Sequence, residues 1–352
     1  MRAAVWPADA QPVRRLRPGS RVAIVSPSNG LAPLFPAVYE RGLEALRALG
    51  LEPVPFPSAG KTTEELYRDP AARVADIHAA LADESIHGII ATIGGYESVR
   101  LLPLFDSARF RRNPKLILGG SDATTYTLFA RRAGVVSFYG PSVMAGFSQA
   151  DDLPNEFLEH VRSFLFGTWD RYRYTPYPHF THGYTDWSKE SRGRIGTLHD
   201  NVDGPKVLQG QQPVTGHLWG GCIEVIEFLK GTRFWPPVSF FDSSVLFFET
   251  SEEKPSPDRV GYMLRNYGVA GILHRAAAIL FGRPKDYSAQ EQDRLEELVV
   301  RIVRDEFGLS QIPILMRTDI GHTDPKWIFP IGAQAKIDPA DGRVEILSPP
   351  FE

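Results

Sequence analysis

Leu116-Ile117-Leu118-Gly119-Gly120-Ser121-Asp122-Ala123 runs from an apolar triplet through a glycine pair into the start of a helical pattern. The triplet reads as a short buried strand, and Tyr126, Leu128, Phe129 and Ala130 fall on one face of the helix that follows. A strand handing over to a helix through such a turn is the building unit of a parallel α/β sheet. A serine at that turn stands exposed at the sheet edge. The next backbone N–H groups point the same way, at the positive end of the helix dipole. Two roles fit Ser121: an N-cap, the commoner role of a serine ahead of a helix, and a nucleophile with half of an oxyanion hole beside it.

Working outward, strand and helix patterns alternate up to about residue 165. Arg21–Ser26, Glu52–Phe56, Gly88–Thr92, Lys115–Leu118 and Val135–Tyr139 read as strands. Val38 to Leu49 carries a helical stripe, and Thr63 to Leu81 carries another with a break at Pro70. This alternation predicts a doubly wound parallel sheet that works at the C-terminal ends of its strands. Residues 167–192 change character: Trp169, Tyr172, Tyr174, Tyr177, Phe180, Tyr184 and Trp187 alternate with Arg, Pro, His and Asp, without a period. Such a loop is a lid, a binding loop or a linker whose aromatics pack on a domain surface. A second α/β portion follows. Gly216-His217-Leu218-Trp219-Gly220-Gly221 is expected to open a helix, Val245–Phe248 is a strand delivering Glu249, Ser288 to Phe307 is helical, and Pro313–Met316 is a strand.

With 352 residues, 43% of them hydrophobic, the chain is long enough for two domains with sizeable cores. A net charge of −3 gives no electrostatic reason to expect a nucleic acid polymer or an anionic membrane as partner. No apolar stretch approaches the roughly 20 residues of a bilayer span, and the N-terminus lacks the apolar core of a secretory signal. A cytoplasmic location is expected. Cys222 is the sole cysteine, which excludes an internal disulfide and a Cys-rich zinc site. Neither a phosphate-binding Gly-x-x-x-x-Gly-Lys loop nor a dinucleotide Gly-x-Gly-x-x-Gly fingerprint is present.

A nucleophilic serine needs a base, and the base needs an orienting partner. Of nine histidines, His160 and His274 sit in helical patterns. His179 and His182 lie in the aromatic loop without an apparent third metal ligand. His322, in Asp319-Ile320-Gly321-His322-Thr323-Asp324-Pro325, follows a strand in a Gly/Asp/Pro loop that would hold an imidazole at a sheet edge. Glu249 is the carboxylate most firmly placed by apolar neighbours, although it could instead cap the turn through Thr250 and Ser251. Gly94-Gly95 could offer a backbone N–H to an oxyanion, with Asp122 N–H as the second donor. Cys222 could carry a lowered thiol pKa at a helix start, or simply be a small packed residue.

Taken in order, Thr92-Ile93-Gly94-Gly95-Tyr96, Gly119-Gly120-Ser121-Asp122, Phe138-Tyr139-Gly140-Pro141, Gly216-His217-Leu218-Trp219-Gly220-Gly221, Phe248-Glu249 and Gly321-His322-Thr323-Asp324-Pro325 resemble the LD-carboxypeptidase family of serine peptidases. The likeness is closer to its microcin C immunity peptidase branch and covers roughly residues 18 to 340. The resemblance implies a flavodoxin-like N-terminal domain (1–166), an aromatic inter-domain loop (167–192), a swivelling C-terminal α/β domain (193–352) and a homodimer. It implies a triad of Ser121 as nucleophile, His322 as base and Glu249 as its partner. Gly95 and Asp122 N–H groups would form the oxyanion hole, with no metal or organic cofactor.

Tyr96, Trp187 and Trp219 are the implied substrate contacts, Trp187 as the tryptophan that meets the nucleotide part of the substrate. The implied substrate is a small peptide or peptidyl-nucleotide: an L,D-linked muropeptide or an aminoacyl nucleotide. A non-catalytic ligand-binding protein and a small-molecule esterase are the alternatives. Two departures from the family pattern bear on specificity. Cys222 stands where Asn is usual, and Glu97 replaces an Asn, where an acid would repel a substrate carboxylate.

Overall fold

The structure is a computed structural model that describes residues 6–189, 193–202 and 204–352. Five parallel strands form the first sheet: β1 (Arg21–Val25), β2 (Glu52–Pro55), β3 (Ile86–Ala91), β4 (Leu116–Gly119) and β5 (Ser137–Tyr139). Their spatial order, β2-β1-β3-β4-β5, is the flavodoxin-like doubly wound order. Strands β1, β3, β4 and β5 are apolar and buried almost throughout, as strands covered by helices on both faces must be. The helices begin where sequence chemistry starts them. Pro36 opens Pro36–Ala48, and Thr62 and Glu65 form a reciprocal capping box ahead of Thr63–Arg68. Asp69 caps Pro70–Ala82, so the break expected at Pro70 is real.

The segment after the first domain supplies three short strands, β6 (Tyr172–Arg173), β7 (His179–Thr181) and β8 (Leu198–Asp200), and an edge strand, β9 (Lys206–Gln209). The centre of the second sheet is parallel: β10 (Val214–Cys222), β11 (Ser244–Glu249), β12 (Ala276–Gly282) and β13 (Ile314–Thr318). After β14 (Phe329–Ile331), strands β15 (Gln334–Asp338) and β16 (Arg343–Ile346) join antiparallel beside β10, giving a mixed eight-stranded sheet, β6-β16-β15-β10-β11-β12-β13-β9. Strands β7 and β8 form a separate pair.

Two expectations need correcting, and one strand joins the two halves. Residues 216–221 form strand β10, and the helix begins only at Ile223. Parallel pairing with Ser244–Glu249 holds this segment extended, and a Cβ at Gly216 or Gly220 would overlap the backbone of Ser243 or Phe247. The helix expected over Ser288 to Phe307 is α-helical from Ala289 to Val300 and continues as a π-helical stretch over Arg301–Glu306. Finally, β14 lies within 193–352 yet pairs antiparallel with β5, so the first sheet is completed by the chain's last hundred residues. The aromatic stretch divides. Trp169, Tyr172 and Tyr174 stack around Phe164, Trp327 and Phe329 as core, whereas Tyr184 and Trp187 face an opening between the two sheets.

Candidate active site

Ser121 stands immediately beyond β4, with φ at +56°, in the left-handed region that non-glycine residues rarely adopt. A 3-10 turn over Ser121–Ala123 leads directly into helix Thr124–Arg132, and no side chain caps either helical start. The serine is therefore not spent as a cap. The close turn depends on missing side chains opposite it: a Cβ on Gly94 would sit 2.7 Å from Ser121 Cβ and 2.9 Å from its Oγ. Asp122 ties the two loops together from below. Its buried carboxylate accepts hydrogen bonds from the Ser28 hydroxyl and from the N–H groups of Glu97 (3.1 Å) and Ser98 (2.9 Å). Burial nevertheless pushes its carboxyl above the ordinary range. Above this brace, the Asp122 N–H belongs to the first turn, whose donors a helix leaves unpaired. The Gly95 N–H has no acceptor among the described residues.

Opposite the serine, β11 delivers Glu249 at 1% exposure, and the loop after β13 delivers His322. His322 Nδ1 meets Glu249 Oε2 at 2.7 Å. Gly321, at φ +104°, allows this contact, because a Cβ there would lie 2.7 Å from Glu249 Cβ. Burial alone would raise the Glu249 carboxyl, but the imidazole charge and the hydrogen bonds from His322 and Tyr139 hold it below the usual range. Burial likewise works against a charged His322, and Glu249 outweighs it, so the imidazole pKa is raised. His322 Nε2 is left without a hydrogen-bond partner among the described residues, 3.5 Å from Glu252 Oε2. The loop is pinned at its base by Asp319, which accepts from the buried Arg283 at 2.8 Å and from Tyr177 N–H at 2.9 Å.

The link between the two halves is Tyr139, at the end of β5. Its buried hydroxyl donates to Glu249 Oε1 and accepts the Ser121 N–H at 2.9 Å. Sequence reasoning placed Tyr139 in a matched motif without a role. The sequence carried no signal for it beyond its place at the end of an apolar strand, since strand order is not visible there. The Asp122 side chain was also missed, because a residue expected to act through its N–H masks what its carboxylate does.

Ser121, His322, Gly95, Tyr96 and Trp187 line one cleft of about 240 Å³. Trp187 packs edge-on to Phe35 (5.3 Å between ring centres) and against Tyr184 (5.0 Å), while its Nε1 is buried without a partner among the described residues. Tyr96 is exposed at the rim and donates to Glu253 at 3.0 Å. Trp219 is not brought to the site. It is fully buried, edge-on to Trp235 and Phe241, because it lies inside strand β10 rather than on a helix. Glu97 does not line the cleft and takes ion pairs from Arg73 (2.5 Å) and Arg100 (2.7 Å), so it repels nothing there. Cys222 is a packed thiol pushed well up by burial and by Glu249, not a reactive one. His160 is a core histidine that accepts the Ile328 N–H at 3.0 Å and is pushed down to about 3 by burial. Among the described residues no group of three or more His, Cys, Asp or Glu could hold a metal ion, and no helix is long and apolar enough to cross a membrane. A larger hollow of about 550 Å³ lies at the other end of the first sheet, beside His78 and His87. Both histidines there accept backbone N–H groups.

Residues 22–140 match the model of the LD-carboxypeptidase N-terminal domain, and residues 215–337 match that of the C-terminal domain. The Microcin C7 self-immunity protein MccF of Escherichia coli is 27% identical over 306 residues, 85% of each chain. A Vibrio cholerae protein provisionally named a carboxypeptidase is 26% identical over 324 residues, 91% of this chain and 92% of its own. An MccF-like protein from Streptococcus pneumoniae, solved in complex with AMP, superposes with a TM-score of 0.83 at 29% identity, covering 93% of this chain and 98% of that one.

Proposed function

The chain belongs to the LD-carboxypeptidase family of peptidases, and from that premise we propose that it is a serine hydrolase of amide bonds acting through Ser121, His322 and Glu249. One observation carries the reading. A buried carboxylate–imidazole pair turns an unpartnered Nε2 into the same cleft as a serine held in a left-handed turn. In this reading Nε2 takes the Ser121 proton as Oγ attacks the carbonyl carbon. Glu249 stabilises the imidazolium that forms, and the Gly95 and Asp122 N–H groups receive the oxyanion. His322 then passes the proton to the departing amine, and water brought in by the same imidazole hydrolyses the acyl-enzyme. Hydrogen bonds of this kind commonly tighten only once substrate is bound, which accommodates a resting Nε2 that is not yet bonded to Oγ.

The substrate is read as an aminoacyl or peptidyl nucleotide, whose nucleotide part departs as the amine while the aminoacyl part stays on Ser121, with an L,D-linked muropeptide as the competing substrate. The aromatic wall of Tyr184 and Trp187 along the cleft supports a stacked base. The AMP complex of the Streptococcus pneumoniae relative points the same way. A fluorophosphonate probe should label wild-type protein on Ser121 and leave Ser121→Ala unlabelled. Parallel assays on a muropeptide tetrapeptide and on aspartyl sulfamoyl adenosine, read by mass spectrometry, choose the substrate. Absence of labelling, with Ser121→Ala indistinguishable from wild type on every amide, would overturn the hydrolase reading and favour a ligand-binding protein. Turnover of matched esters with no measurable hydrolysis of the amides would favour the esterase.

A further inference from the structure

A second cavity, of about 290 Å³, opens on the other side of Ser121 and shares Gly95, Tyr96 and Glu252 with the cleft. It is lined by the buried Val225 and the exposed ring of Phe228, and it holds Glu224 and Glu253 and, at the boundary with the cleft, Glu252, against one cation, Arg259. His322 lines the cleft but not this cavity, and that asymmetry assigns the two sides. The imidazole that gives its proton to the departing group must stand on the leaving-group side. The acyl group, bonded to Oγ during turnover, is then directed into the second cavity.

We propose that this cavity is the acyl-side subsite and that it selects an acyl residue with an aliphatic side chain ending in an amine. The inference rests on the hydrolase reading for its chemistry, but its selectivity is a matter of binding. Several contacts support it. Glu224 is fixed in place, its Oε1 accepting the Ser251 N–H at 2.9 Å and the Ser251 hydroxyl at 2.7 Å. Burial first, and Glu249 second, disfavour the Glu224 charge, a cost that an incoming ammonium would offset. Glu253 receives only the neutral Tyr96 hydroxyl. Neither Glu224 nor Glu253 has an ion pair among the described residues, nor does Arg259 at the exposed mouth. An apolar wall of Val225 and Phe228 beside two carboxylates without ion pairs, Glu224 and Glu253, suits a long side chain that packs its methylenes on that wall and ends in a cation. A carboxylate side chain would meet three like charges and one exposed guanidinium.

The test separates binding from turnover. Ser121→Ala protein is titrated calorimetrically with sulfamoyl adenosines that differ only in the acyl group: lysyl, norleucyl and glutamyl. The lysyl compound should bind at least tenfold more tightly than the norleucyl one, and the glutamyl compound most weakly. In Glu253→Lys, a change on an exposed loop, the lysyl advantage should fall at least tenfold while the glutamyl compound gains. Equal affinities, a glutamyl preference, or no measurable binding of any of the three to folded Ser121→Ala protein would overturn the subsite. Wild-type hydrolysis of the same compounds is read separately. Selective binding without hydrolysis refutes the serine mechanism alone, and hydrolysis without selectivity refutes the subsite alone.

Discussion

Tyr139→Phe removes one oxygen atom and nothing else, and it tests whether the two sheets form a single site. The hydroxyl satisfies two buried groups, the Ser121 N–H and Glu249 Oε1. A hydrogen bond to a charged buried group contributes about 1.5–3 kcal/mol, and a buried amide left unpaired costs about 1–3 kcal/mol. Ser121 is only partly buried, so cleft water can replace its lost acceptor, and the amide cost should sit at the low end. The expected loss of stability is about 2–4 kcal/mol, seen in urea unfolding at pH 7 as a lower midpoint with an unchanged slope. The same change frees the left-handed Ser121 turn and removes one of two hydrogen bonds to Glu249. We therefore expect kcat to fall by about 10- to 100-fold, a barrier increase of about 1.4–2.8 kcal/mol, with KM little changed. Stability within about 0.5 kcal/mol of wild type, together with kcat within about twofold, would refute the argument that Tyr139 couples the halves.

Further outcomes follow from the same geometry. Because the His322 pKa is raised, chiefly by Glu249 against the effect of burial, the acid limb of kcat/KM should lie above the ordinary imidazole value of 6.5; in Glu249→Gln it should move to lower pH, besides a large loss of rate. An unmoved limb would show that His322 is not the titrating base. The stabilisation from this pair has a window. The raised His322 contributes fully below its unfolded value of 6.5 and loses its effect as pH rises through the folded value. The depressed Glu249 contributes above its unfolded value of 4.5 and loses its effect as pH falls through its folded value. The stability difference between wild type and His322→Ala should therefore peak between about 4.5 and 6.5 and shrink on both sides, as denaturant titrations across pH would show. Gly94→Ala places a methyl carbon on Ser121 and should cut fluorophosphonate labelling by about 100-fold or more while circular dichroism stays near wild type. Trp187→Ala should weaken AMP binding by about 10-fold, in line with about 1–3 kcal/mol for a base–aromatic stack, and leave labelling of Ser121 by a small fluorophosphonate unchanged.

Much of the architecture was legible because buried parallel strands and amphipathic helices announce themselves locally. The run Leu116–Leu118 and the helix break at Pro70 are of that kind. Strand β10 was misread because a strand buried on both faces shows no alternation, and its glycines resemble a helix start; periodicity cannot tell the two apart. Trp219, a substrate contact implied by the family resemblance, is buried within the same strand. The positions of Glu249 and His322 at strand ends could be seen in the sequence, but their 2.7 Å contact could not. The quenching of Glu97 depends on Arg73, far away in sequence and buried under the same loop. Tyr139 had no local signature, since nothing in Ser137-Phe138-Tyr139 shows that a hydroxyl will sit between two residues contributed by different sheets.

Strand β14 has a consequence for how the molecule can be divided. The segment that carries the imidazole leaves the second sheet at β13 and, a few residues later, is hydrogen-bonded into the edge of the first sheet beside Tyr139. A fragment ending at residue 166 would therefore lose more than two triad partners. It would bare the open edge of β5, where Phe138 and Tyr139 sit, as a template for unwanted strand pairing. Gene splitting, circular permutation or domain grafting in this protein should treat residues 314–331 as a seam belonging to both halves. A cut anywhere along it would separate the base from the scaffold that holds the nucleophile.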